Sequence, residues 1–310
     1  MGRWDMTEPY LTVYGHVALD YIISLERFPP INTSIDVLDK RLYYGGTAAN
    51  LATTAASLGV PTAIVSYVGG DFPQDFEDFM RSKGVLLDDL VVVKGEQTPT
   101  VWVVSDAVHD QIAYVFQGAM KDMETYEIRT DMAVRSKEVH IYTGRPGYYM
   151  RLMRELSQKG IKISFDPAQE IHHIWSEETF SEALPMSSIL FANRGELETA
   201  MRYMSVKEPQ EMLTQVGVII NTRGSEGSVI YTIEEEIHVP AIKTKKVVDT
   251  TGAGDAFRAG FYAGRYRGYD LHDCAILGSA TSSFAVESMG GLSNIPIWEK
   301  VLERAEDMLR

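Results

Sequence analysis

The chain has 310 residues, 45% hydrophobic and 23% charged, a profile that excludes disordered and fibrous classes. With 29 Lys and Arg against 43 Asp and Glu, the net charge is −14, which repels phosphate backbones and anionic lipid and argues against nucleic-acid or membrane partners. One cysteine, Cys274, rules out an intrachain disulfide. The N-terminal stretch MGRWDMTEPY has no apolar core of signal-peptide length, and no apolar run approaches a membrane span. The expectation is a cytoplasmic protein forming a single domain over 1–310.

Taken in chain order, a strand is expected at 11–17 (LTVYGHV). Residues 18–44 then read as period-2 strand material with no helix inside. A helix follows at 47–58, a strand at 62–67 and a helix at 72–83. The stretch 98–118 is a hairpin candidate, with Asp106 to Asp110 as its turn between two alternating runs. Beyond it, strands at 138–142, 161–165, 188–192, 217–221 and 228–232 alternate with helices at 148–159 and 194–204. A further strand, TKKVVD, ends at Asp249, and helices at 255–267 and 271–287 close the pattern. Apolar strands separated by helices imply an α/β fold, a doubly wound, mostly parallel sheet with helices on both faces. The two helix-free segments, 18–44 and 98–118, imply a small discontinuous β-sheet acting as a lid.

Four stretches carry candidate chemistry. Tyr44-Gly45-Gly46-Thr47-Ala48-Ala49-Asn50 opens a helix of small residues. Its glycines let a ligand approach the backbone, and Asn50, a poor helix former, points into the space they open. The alternative is tight helix packing with Asn50 incidental. Asn193-Arg194-Gly195-Glu196 follows an apolar strand and has the spacing of a capping box. The same oxygens suit a hydrated Mg²⁺ beside a phosphate. Thr222-Arg223-Gly224-Ser225-Glu226-Gly227 lies between two strands, either as a plain turn or as a glycine turn against an adenine nucleotide.

The sharpest stretch is Asp249-Thr250-Thr251-Gly252-Ala253-Gly254-Asp255. It offers backbone amides with little side-chain bulk at a helix N-terminus, which makes an anion site. Asp255 at its centre is awkward beside an anion unless it takes a proton from a nucleophile. Asp is also simply favoured at helix starts. No GxxxxGK[ST] occurs, and Phe257 occupies the third glycine position of a dinucleotide fingerprint. The histidines do not cluster, and His172 and His173 are adjacent and diverge.

In this order and spacing the four motifs resemble the ribokinase (PfkB) family of carbohydrate and nucleoside kinases, over nearly the whole chain. The matching positions are Gly45, Gly46 and Asn50; Asn193 and Glu196; Thr222, Gly224 and Gly227; and Asp249 to Asp255. The resemblance implies ATP as donor, Mg²⁺, and K⁺ as a further ion. It makes Asp255 the general base, with the amides of Gly252, Ala253, Gly254 and Asp255 holding the transferring phosphoryl group. Asn193 and Glu196 would order Mg²⁺ through water, and Thr222, Gly224, Gly227 and Thr251 would face ATP. Asp20, Gly45, Gly46 and Asn50 would grip the acceptor's hydroxyls. Asp249, with Thr251 and the 286–291 stretch, would hold the monovalent cation.

Ribokinases proper resemble GGKGAN at the first motif, whereas this chain has Thr47 and Ala48 there. The segments GHVALDYI, FPPINTSI, YYGGTAAN, FQGAM, SFDPAQ, GYDL and IPIWEKV instead resemble an archaeal nucleoside-kinase branch. The expected reaction is phosphoryl transfer to the 5′-hydroxyl of a ribonucleoside. The rivals are a sugar or sugar-phosphate kinase and a binding protein without catalysis. On the lid, Tyr114 and Phe116 are candidates to cover the ligand, and Gln117 and Gln169 to bond a base edge. Arg145 is a lone candidate for a phosphorylated acceptor. An exposed lid edge implies a homodimer through the lid.

Overall fold

The computed structural model describes residues 8–108, 110–244 and 246–309. The first seven residues of the stretch read for a leader lie outside them, as do His109 in the expected hairpin turn and Lys245 in the expected strand before Asp249.

In chain order, β1 (Leu11–Tyr14) precedes β2 (Ala18–Ser24) and β3 (Asp39–Gly45). Then come α1 (Thr47–Ser57), β4 (Thr62–Gly69), α2 (Gln74–Ser82) and β5 (Val85–Val93). β6 (Thr100–Ser105) and β7 (Gln111–Phe116) follow. Next are β8 (Glu138–Ile141), α3 (Pro146–Gln158), β9 (Ile163–Phe165), α4 (Glu177–Ala183), β10 (Ile189–Asn193) and α5 (Arg194–Tyr203). The last are β11 (Val218–Thr222), β12 (Ser228–Thr232), β13 (Glu236–Val239), α6 (Ala253–Arg267), α7 (Leu271–Ala285) and α8 (Trp298–Ala305).

Among the described residues the main sheet has nine strands, ordered β13-β12-β11-β10-β9-β8-β1-β4-β5. Every pairing from β11 through to β5 is parallel, and β12 and β13 add an antiparallel edge. Strand residues alternate between two cores, as a period of two requires. Ile64, Phe191 and Ile220 pack with α1, α2, α6, α7 and α8. Val65, Leu190 and Ile219 pack with α3, α4 and α5. The sheet is thus doubly wound, as the sequence implies. Strand order reverses at β1, which lies between β4 and β8, and open α/β sheets bind ligands beyond the strand ends at such a point.

β3-β2-β6-β7 form a separate four-stranded sheet. Residues 25–38 are loop, so the helix-free stretch 18–44 is two strands rather than one continuous run. Its register sorts the side chains. Asp20 pairs with Tyr43 and Val101, and Val101 with Val115, so these four share one face. Tyr21, Leu42, Trp102 and Tyr114 share the other, with Phe116 two residues along from Tyr114. The strand expected before Asp249 is not formed among the described residues. Val248 N instead donates to Val286 O at 2.8 Å, so the segment docks on the chain after α7 rather than on a sheet edge.

Candidate active site

Gly46 ends β3's approach and caps α1 with φ of +94°. A Cβ there would lie 2.5 Å from His16 O, so only glycine lets the two chain segments meet. This turn aims Asn50, in the second turn of α1, across to α6. Asn50 Nδ2 donates to Asp255 Oδ2 at 2.9 Å, and its Oδ1 is buried without a hydrogen-bond partner. Such an acceptor suits a ligand hydroxyl.

α6 starts from Gly252, in the left-handed region at φ +74° and packed beside Gly291 and Asn50. Its first turn carries Gly254 and Asp255, whose amides fall before the helix's own hydrogen-bond ladder begins, while Ala253 N is held by Thr250 O at 3.2 Å. Asp249 ties this loop down. Its Oδ1 accepts from Thr251 N and Thr251 Oγ1 at 2.9 and 2.8 Å, and its Oδ2 from Gly290 N at 2.8 Å.

Asp255 also accepts, at Oδ1, the hydroxyl of Tyr142 at 2.8 Å. Burial raises the Asp255 carboxyl to about 6, against the pull of Asn50, Arg258 and Tyr142. Burial, with the charges of Asp255 and Asp249, raises Asp20 to about 7. Asp20 packs against Gly45, where a Cβ would sit 1.9 Å from its Oδ2. Asp20, Gly45, Gly46, Asn50, Asp249, Gly252 and Asp255 are therefore brought to one place, where the two sheets meet.

Under the site lies a buried ion pair. Arg258 Nε donates to Asp166 Oδ2, and Arg258 Nη1 to Gly254 O at 3.0 Å. Asp166, wholly buried, stays below the ordinary carboxylate range because Arg258 and then His140 outweigh its desolvation.

Asn193 and Glu196 do form the capping box. Asn193 Oδ1 accepts from Glu196 N at 2.9 Å, and Glu196 Oε2 from Asn193 N at 2.7 Å. Burial, then the neighbouring Asp166 charge, raises Glu196 to about 7. Among the described residues Glu196 Oε1 accepts no hydrogen bond, and the charges of Asp166 and Asp255 act on this carboxyl. A hard, hydrated divalent cation fits that donor chemistry. Thr222 to Gly227 is the turn between β11 and β12, closed by Arg223 N to Gly227 O at 2.8 Å. Arg194 pairs with Glu226 at 2.5 Å and joins this turn to the Asn193 loop.

Four further candidates from the sequence fall as follows. The Gln117 amide is engaged by protein partners. Its Oε1 bonds His16 Nε2 at 2.7 Å, and its Nε2 reaches Glu170 Oε1 at 3.4 Å. Phe116 lies on the sheet face opposite Asp20, with Tyr114. Gln169 is exposed on a short 3₁₀ turn, Ala168–His172, while its neighbour Glu170 is buried and accepts Gly144 N at 2.6 Å. Arg145 is not alone. It shares a cavity of about 590 Å³ with Lys121 and His173, but also with Asp122 and Glu124, so no clear anion site results.

Sequence reasoning missed Tyr142, Asp166 and Arg258. A signal existed for the first two, since both directly follow apolar parallel strands, where ligand-binding residues collect.

The pfkB family carbohydrate kinase pattern matches residues 8–298. A nucleoside kinase of Methanocaldococcus jannaschii is 39% identical over 96% of both chains. One from Methanothermobacter thermautotrophicus is 37% identical, over 95% of this chain and 94% of its own. The crystal structure of the M. jannaschii nucleoside kinase, an archaeal member of the ribokinase family, superposes with a TM-score of 0.90 at 37% identity, covering 97% of this chain and 99% of that one. The chain belongs to the pfkB family of carbohydrate kinases. It is a phosphotransferase with an alcohol group as acceptor.

Proposed function

We propose that the protein is an ATP-dependent nucleoside kinase that phosphorylates the 5′-hydroxyl of a ribonucleoside such as inosine, guanosine, cytidine or adenosine. The observation that carries this reading is the Asp255 carboxylate, held by two donors in the first turn of a glycine-rich helix N-terminus. The kinship to nucleoside kinases at 37–39% identity over nearly full length supports the acceptor class.

In the mechanism, Asp20, Gly46 and Asn50 hold the ribose hydroxyls and set the 5′-oxygen beside Asp255. Asp255 takes the hydroxyl proton as that oxygen bonds the γ-phosphorus and the bond to ADP breaks. The amides of Gly252, Ala253, Gly254 and Asp255 stabilise charge on the transferring group without reorganising. Glu196, with Asn193, would hold Mg²⁺ through water. Bound there, the ion neutralises phosphate charge. Thr222, Gly224, Gly227 and Thr251 line the ATP side. Asp249, with Thr251, would hold a K⁺ ion; among the described residues Asp249 Oδ2 accepts only from Gly290 N. The second sheet acts as a lid that excludes water from the reacting phosphate.

A second copy of the chain covers the outer face of this lid, where Leu42, Ile112 and Tyr114 are exposed. The cytoplasm is the expected compartment, in keeping with the buried free thiol of Cys274. Among the described residues no helix is long and apolar enough to cross a membrane.

The test is ADP release with Mg²⁺ and ATP across ribonucleosides and free and phosphorylated sugars. Turnover with a ribonucleoside is expected, and turnover confined to sugars overturns the acceptor assignment. Asp255→Asn should lose at least about a hundredfold in kcat, with nucleoside binding retained. Near-normal turnover in that variant would remove Asp255 from the mechanism.

A further inference from the structure

Tyr142 directly follows β8, at the crevice where strand order reverses, and is 1% exposed. Its ring is fixed on several sides. His140 meets it edge-on with centroids 4.3 Å apart, and the Arg258 guanidinium lies 5.6 Å over it. Arg258 is itself anchored to Asp166 and to the Gly254 carbonyl. A Cβ at Gly15 would come within 2.8 Å of Tyr142 Cβ, so the strand beside it leaves no slack. Packing alone needs only the ring. The hydroxyl is the one polar atom of the side chain, and it is spent on Asp255 Oδ1.

We infer that Tyr142 is the positioning residue of the Asp255 base, its hydroxyl fixing Oδ1 from β8 while Asn50 fixes Oδ2 from α1. This rests on the reading of Asp255 as the base. With a single donor, a carboxylate turns about its last bond. With one donor at each oxygen, from elements on two sides, its plane is set and a lone pair on each oxygen remains for the acceptor hydroxyl. Tyr142 keeps its own proton throughout, since burial holds the phenol well above its ordinary range. The other groups that act on Asp255 are Arg258 on its own helix, Asp166 beyond β9, Glu196 on α5 and Asp20 on β2. Only Tyr142 and Asn50 are recorded donating to its side chain among the described residues.

Tyr142→Phe keeps the ring and removes the donor. The expected result is a fall in kcat of about tenfold with nucleoside KM within about twofold, the signature of an interaction needed in the transition state. The acid limb of the kcat profile should also move to higher pH, because the ionised carboxylate has lost a hydrogen bond. Unchanged kcat and acid limb overturn the inference, as does a change confined to KM. Asp255→Asn run in parallel separates the two ideas. If it retains turnover, the base reading has failed. If it is inactive while Tyr142→Phe is normal, only this inference has failed. Should Tyr142→Phe fold poorly, 3-fluorotyrosine at position 142 keeps ring and hydroxyl and donates more strongly. The acid limb should then shift to lower pH, and an unmoved limb overturns the inference.

Discussion

At the scale of single residues, Asp255 sits between opposing influences. Burial favours its protonated form, while Asn50, Arg258 and Tyr142 favour the ionised one, and the balance falls at about 6. A base must be ionised, so kcat should decline as pH drops through that value and level off above it. A kcat–pH profile measured with saturating nucleoside and ATP checks this, and a flat profile down to about pH 5 contradicts it. Arg258 has a different role. Arg258→Met would leave the buried Asp166 charge with only His140 beside it, which costs about 3–5 kcal/mol. Denaturant unfolding should show that loss, and a shift below about 1 kcal/mol contradicts it. Asp255 and Asn50 were legible because their cues are local: glycines, a helix start, a poor helix former out of place. Tyr142 was not, because its one polar contact joins residues 113 apart in the chain, which neither periodicity nor spacing records.

At the scale of elements, the glycine turn before α1 joins the second sheet to the body. Gly46→Ala meets both a positive φ and a clash with His16 O. Backbone strain alone should cost about 1–3 kcal/mol, read as a lower midpoint in urea. The two sheets are also linked by polar side chains. His16, just before β2, bonds Thr143 Oγ1 at 2.7 Å, and Gln117, just after β7, links it to Glu170. The parallel core strands were readable because each is a short apolar run between helices. β13 and the path of residues 246–249 were harder to read. An edge strand such as β13, with alternating exposure, resembles loop sequence, and TKKVVD has strand composition but finds its partners at Val286 and Gly290. Whether such a segment joins a sheet depends on edges that only the assembled fold provides.

At the scale of the whole molecule, the site is held at the expense of stability. Asp20 and Asp255 titrate near 3.8 when unfolded, and near 7 and 6 in the fold. Between those values the native state binds more protons than the unfolded one, so their contribution to stability falls as pH rises from about 4 to 7. Asp166 is ionised in both states over this window and adds no slope. Chemical denaturation should therefore give a lower midpoint for the wild type at about pH 7.5 than at about pH 5, and Asp255→Asn should reduce the difference while Asp20 and Glu196, also raised, keep the rest. The outer face of the second sheet bears on assembly. If a second copy covers it, Tyr114→Glu should halve the mass measured by light scattering, whereas an unchanged mass places the contact elsewhere. The second sheet has one more consequence. Its central pairing, β2 with β6, joins two stretches far apart in the chain. It cannot be gained, lost or transplanted as one inserted cassette. Deleting either hairpin strands the other with a raw edge, so whatever specificity this sheet confers must be altered by substitution within it rather than by exchange of the whole.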